Sequence, residues 1–177
     1  MNRLFAFCSV AVVALLLIFS PALAQDKGNL EFKAGTGVMT VVDEGFVGNF
    51  TGMDKVCYVA SADWYLGRHS SLGARVGMSD WGQTLYDVST NFNYSFRPSK
   101  TFVPYAGLGF GAQNLGLVTD GTKAFVALNL GAKINFSKRF GIFLESRGMN
   151  VFDKSTDDVR VNSVFNQFTV GLNVLAK

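Results

Sequence analysis

Four acids and four bases carry most of the chemical potential of this chain. They are Glu31, Asp63, Asp87 and Glu145, and Lys33, Arg75, Lys133 and Arg147, and all eight stand at odd-numbered positions in apolar or glycine-rich stretches. Side chains alternate faces along an extended chain, so odd positions share one face and even positions the other. If that odd face is enclosed, each charge needs a counter-charge, because an unpaired buried ion is costly. The spacing offers partners. Lys133 and Glu145 fall diagonally across one hairpin, and Asp63 and Arg75 diagonally across another, within reach of long side chains. Such a set makes either a salt-bridged plug or a polar conduit that opens when the pairs rearrange.

Other chemistries find little support. His69 is the only histidine. With Ser71 it forms a His-x-Ser pair, but the pair falls in a tight turn and is expected to serve the turn. One histidine and a distant cysteine are too few to hold a metal. Gly107-Leu108-Gly109-Phe110-Gly111 lacks the GxGxxG spacing and the following helix of a dinucleotide loop. A formal charge of +3, with no basic run or zinc spacing, gives no nucleic-acid footprint. No catalytic, cofactor-binding or metal-binding set is expected.

The elements that position the eight charges are read from alternation. Between Ala124 and Arg147 the even positions Ala124, Val126, Leu128, Leu130, Ala132, Ile134, Phe136, Phe140, Ile142 and Leu144 are all apolar. The odd positions mix glycine, amide and charge with an occasional aromatic. The three-residue break Ser137-Lys138-Arg139 pairs Phe136 with Phe140 and keeps the apolar set on one face. The same reading gives strands at Leu30 to Thr40, Val56 to Leu66, Ser71 to Asp80, Tyr86 to Phe96, Phe102 to Ala112, the two limbs of this hairpin, and Val164 to Val174. Val164-Phe165-Asn166 fits its alternation poorly.

No amphipathic helix is available to cover the apolar face. A closed barrel solves this by turning apolar residues toward lipid and small or polar residues inward. The chain has 19 glycines and only 3 prolines, a composition suited to uninterrupted strands with a crowded interior. The connections alternate between tight turns and longer loops, as expected for an even barrel. Trp64, Tyr65, Phe96, Phe102, Phe136 and Phe140 gather beside the tight turns, where an interfacial aromatic girdle belongs. Arg68, Arg97, Lys100, Lys138 and Arg139 lie in or beside those turns, placed either to solubilise them or to meet phospholipid headgroups. The fold expected is all-β, an eight-stranded antiparallel up-and-down transmembrane barrel.

The first residues read as an export signal. Arg3 supplies the positive start, Leu4 to Phe19 the apolar stretch, and Ala22-Leu23-Ala24 a small-x-small cleavage site. The expected division is a signal peptide over 1–24 and a barrel domain over 25–177. Cleavage removes Cys8 and leaves Cys57 alone, so no intrachain disulfide is expected.

The segments Val103-Pro104-Tyr105-Ala106-Gly107-Leu108-Gly109-Phe110-Gly111-Ala112 and Phe140-Gly141-Ile142-Phe143-Leu144-Glu145-Ser146-Arg147-Gly148 resemble the small outer-membrane β-barrel family, similar to the OmpA-type transmembrane domain. The resemblance implies a bacterial outer-membrane location and a non-enzymatic scaffold or surface-interaction role, with a narrow solute channel as the alternative. The implied partners are outer-membrane lipid, lipopolysaccharide and a surface partner met through the long loops. Phe46, Val47 and Phe50 form an apolar cluster in the first such loop. His69 and Ser71 are similar to the pair of outer-membrane lipid A deacylases, but those enzymes need it at the outer leaflet with a supporting acid. The family's usual terminal aromatic is replaced by Asn173-Val174-Leu175-Ala176-Lys177. No peptidoglycan-binding domain is expected after the eighth strand, so wall anchoring is not part of what the resemblance implies.

Overall fold

Alternating polarity favours extended backbone, and each segment that carries it forms a strand in the computed structural model, which describes residues 27–41, 55–80, 84–96, 101–114, 122–152 and 162–176. The strands are β1 (Leu30–Val41), β2 (Lys55–Tyr65), β3 (Ser70–Asp80), β4 (Thr84–Ser95), β5 (Phe102–Asn114), β6 (Thr122–Asn135), β7 (Phe140–Phe152) and β8 (Asn162–Ala176). Each pairs antiparallel with the next, and β8 returns to β1, closing the barrel. The closing seam runs from Leu30 opposite Ala176 to Val41 opposite Phe165. Closure leaves no unpaired strand edge, which is the condition for sheet backbone to sit in hydrocarbon. No helix among the described residues is long and apolar enough to cross a membrane.

The hairpin between β6 and β7 has the expected loop. The amides of Phe136 and Ser137 donate to the Phe140 carbonyl at 3.2 and 3.1 Å. Ser137 Oγ accepts from the amides of Arg139 and Phe140 at 3.2 and 2.9 Å, which locks the turn. Phe136 and Phe140 therefore share a face, and Ile134 stands opposite Ile142.

Faces are sorted as alternation requires. Outward residues include Leu108, Leu128, Phe110 and Leu172, the last two 65% and 61% exposed. Most inward positions are buried, the exceptions being half-buried and mainly glycines. Inward glycines accommodate inward rings. A Cβ on Gly35 or Gly171, which face each other across the closing seam, would lie 2.9 or 2.7 Å from the Phe143 ring. Gly131 does the same for Tyr105.

Several strand ends differ by a residue or two from expectation, and β7 differs most. β7 continues past Arg147 to Phe152, and β8 begins at Asn162 and runs to Ala176. The alternation continues there, but the inward residues change character. Met149, Val151 and Phe165 point inward and join Met39, Val41, Cys57, Leu85, Phe125 and Ala127 in a buried apolar cluster at the loop end of the lumen. An apolar inward residue masks the pattern, which explains the poor fit of Val164-Phe165-Asn166. At the turn end a smaller pair, Tyr65 and Leu175, is buried together. The charges lie between these two apolar ends.

Candidate functional site: the ionic interior of the barrel

All eight charged residues singled out from sequence, Glu31, Lys33, Asp63, Arg75, Asp87, Lys133, Glu145 and Arg147, are buried, none more than 7% exposed. Six of them form three ion pairs, two of which bridge non-adjacent strands while the third joins the neighbours β1 and β2.

The pair nearest the turns joins β1 to β6. Lys133 Nζ lies 2.7 Å from Glu31 Oε2 and 2.6 Å from Tyr65 Oη. Tyr65 Oη in turn donates to Glu31 Oε2 at 2.6 Å, and Asn173 Nδ2 donates to Oε1 at 2.9 Å. Four strands thus meet on one carboxylate. Beside it, Lys33 Nζ pairs with Asp63 Oδ2 at 2.6 Å and lies 5.0 Å from the centre of the Tyr105 ring. Asn93 Nδ2 donates to Asp63 Oδ1 at 3.2 Å.

The third pair crosses the lumen. Arg75 Nη1 donates to Glu145 Oε1, and Nη2 donates to Gln167 Oε1 at 2.7 Å. Tyr105 Oη donates to Glu145 Oε2 at 2.8 Å. Toward the loop end the polar side chains are less completely paired. Arg147 Nη2 donates to Ser89 Oγ at 2.8 Å, and its guanidinium lies 5.4 Å from the centre of the Phe125 ring. Arg147 Nε and Nη1 and both oxygens of Asp87 find no hydrogen-bond partner.

This geometry corrects two expected pairings. Lys133 pairs with Glu31 rather than the diagonal Glu145, and Asp63 pairs with Lys33 rather than Arg75. Eight strands make a barrel narrow enough for side chains to fill, so opposite walls are as near as a diagonal neighbour. A trans-lumen partner therefore competes on equal terms at Lys133, whereas Asp63 takes its diagonal neighbour on the other side, Lys33 of β1. The expectation that every charge pairs also fails among the described residues, at Asp87 and Arg147.

The hydroxyls of Tyr65 and Tyr105 were not singled out from sequence, yet each bonds a buried carboxylate. Their signal was present: both stand at odd positions, in the register of the charges. Among the described residues no group of three His, Cys, Asp or Glu is placed to hold a metal.

A family profile described as outer membrane protein beta-barrel domain matches residues 10–174 of this chain. The chain belongs to that outer-membrane β-barrel family. The N-terminal barrel domain of Pseudomonas aeruginosa OprF is similar in structure, with a TM-score of 0.60 at 17% identity over 84% of this chain and 99% of that one. Neisserial surface protein A gives a TM-score of 0.60 at 11% identity, covering 82% of this chain and 95% of its own. Ail, the attachment invasion locus protein of Yersinia pestis, gives 0.58 at 13% identity, covering 85% and 99%. At these identities the likeness shows the fold. No curated protein matches the chain significantly.

In this outer-membrane barrel His69 and Ser71 do not form a working pair. His69 is exposed at the β2–β3 turn, where Nδ1 lies 2.8 Å from the Ser95 carbonyl oxygen and the ring stacks on Tyr94 with centroids 5.4 Å apart. Ser71 is buried on the inward face of β3. Phe46, Val47 and Phe50, the turn cations Arg97 and Lys100, and the export signal over 1–24 lie outside the described residues.

Proposed function

We propose that this outer-membrane barrel is a non-enzymatic scaffold with a closed, salt-bridged interior, presenting its longer loops to surface partners and lipopolysaccharide. The short turns face the periplasm and the longer connections the cell exterior, as is usual for such barrels. The observation that carries the closed interior is the set of three buried ion pairs, tied by Tyr65, Tyr105, Asn93, Gln167 and Asn173 into contacts between non-adjacent strands. The apolar cluster at the loop end supports the same reading, because a dry constriction resists ion passage. The loop role rests on Phe46, Val47 and Phe50 in the first long connection and on the likeness to Ail, whose name refers to attachment and invasion.

Planar-bilayer recording of the purified, refolded barrel tests the closed interior. The expected result is no sustained current. A steady, solute-selective conductance overturns it and favours the alternative, a narrow channel for small solutes. That alternative draws support from the incompletely paired Asp87 and Arg147, a place where the ionic contacts have another arrangement available.

A further inference from the structure

The charges outside the lumen are unevenly placed. Among the described residues the acids are Glu31, Asp63, Asp87 and Glu145, all interior, and Asp80 at the loop end of β3. The turn end therefore presents no carboxylate from any described residue. It presents four exposed cations: Lys27 before β1, Arg68 in the β2–β3 turn, and Lys138 and Arg139 in the β6–β7 turn.

Backbone contacts hold these positions. The Gly28 amide donates to the Tyr65 carbonyl at 2.8 Å, setting Lys27 beside the end of β2. The Leu66 amide donates to the Ser70 carbonyl at 3.0 Å across the turn that carries Arg68. The Leu175 amide donates to the Arg139 carbonyl at 2.8 Å, tying that turn to β8. The cations are thus spread along the rim from β3 through β1 to β6.

Just inside this rim, facing lipid, stand Trp64, Leu66, Phe96, Phe102 and Phe140, between 40% and 56% exposed. Aromatic belts mark the headgroup level of a bilayer. Arg139 adjoins Phe140 and Arg68 lies four residues beyond Trp64, so the cations fall at the depth of lipid phosphates. One partner satisfies both features. A phospholipid supplies an anionic phosphate to the rim and acyl chains to the adjoining aromatic face, whereas a wall polymer supplies only charge.

We propose that the turn end is a binding surface for an anionic phospholipid, phosphatidylglycerol, in the periplasmic leaflet. The leaflet assignment, but not headgroup binding, rests on the orientation given under the proposed function. Arg68, Lys138 and Arg139, with no acid beside them among the described residues, act together on such headgroups, and each contributes about fivefold to the preference at moderate salt.

The test is the refolded barrel in nanodiscs of mixed phosphatidylcholine and phosphatidylglycerol, with mass spectrometry of the lipids that remain bound on detergent extraction. The expected result is retention of phosphatidylglycerol over phosphatidylcholine by at least about fivefold relative to the bulk mixture. Triple substitution Arg68→Gln, Lys138→Gln and Arg139→Gln should abolish the preference, while Lys55→Gln at the loop end should leave it intact. Heat-dependent gel migration checks that each variant is folded. Bulk lipid ratios for the wild type, or equal preference in the triple variant, overturn the proposal. Binding to isolated peptidoglycan sacculi that the triple variant loses, without any lipid preference, reassigns the surface to the wall and also overturns it. Labelling of Lys138→Cys by an impermeant maleimide in intact cells overturns the leaflet assignment alone.

Discussion

Arg75 on β3 reaches across the lumen to Glu145 on β7, the opposite wall, and passes over Asp63, which lies diagonally adjacent on β2. The guanidinium is shared with Gln167, and the carboxylate with Tyr105. Four strands that are not all neighbours are thereby fastened together at one level of the barrel.

Removing one partner of that contact leaves a buried charge without its counter-ion. Arg75→Met is expected to destabilise the barrel by about 3–5 kcal/mol, and the double variant Arg75→Met/Glu145→Met to recover most of the loss. Urea unfolding in lipid vesicles, followed by gel migration, measures both. Additive single and double losses would show that the two side chains act independently.

Tyr65 supplies the hydroxyl that contacts both Glu31 and Lys133. Tyr65→Phe keeps the ring and removes that hydroxyl, at an expected cost of about 1.5–3 kcal/mol, as for hydrogen bonds to charged groups. Tyr58→Phe, on the lipid face, should change stability by less than about 0.5 kcal/mol. Unfolding curves for the two variants provide the comparison.

Leu108 sits midway along β5, outward and paired with Leu128. On a water-exposed surface Leu108→Arg would be nearly neutral, within about 0.5 kcal/mol. At the centre of a bilayer it should cost about 2–4 kcal/mol. The folded fraction in vesicles distinguishes these values, and a neutral result would contradict the assignment of that face to lipid.

Gly171 lies where the Phe143 ring meets the closing seam. Gly171→Ala forces the ring and the backbone of β1 apart and should destabilise by about 1–3 kcal/mol. Phe143→Leu in the same chain should relieve only the part due to the ring, because the Ala34 carbonyl also lies against the added Cβ. The difference between single and double variants in the unfolding assay isolates the ring's share.

His69 has its Nδ1 turned to the Ser95 carbonyl and its ring on Tyr94. His69→Ala should leave the lipid A mass spectrum of cells unchanged and lower stability by about 0.5–1.5 kcal/mol, through the lost ring contact. An altered lipid A profile would reopen an enzymatic role.

The architecture was legible because a lipid-facing barrel imposes one rule on every strand. The even-numbered run from Ala124 to Leu144 reported its face unambiguously, and the Phe136–Phe140 turn followed from the length of the break. The rule weakened where the lumen itself becomes apolar, and so β7 was read short of Met149 and Val151, and Phe165 fitted the alternation of β8 poorly. The identity of the buried charges was legible for the same reason, but their pairing was not. Sequence gives the register of adjacent strands; it does not say which residue of β6 lies level with Glu31 on β1. That depends on strand tilt and stagger around the closed ring, which no single hairpin encodes.

The seam between β1 and β8 joins residues at the two extremes of the folded domain, Leu30 with Ala176 and Val41 with Phe165. Its first strand is made early and its last strand made late, so assembly has an obligatory final step that cannot begin on a partial chain. Until then β1 offers a bare line of amides and carbonyls to any extended peptide nearby. The chain is therefore most vulnerable to mispairing just before the ring closes.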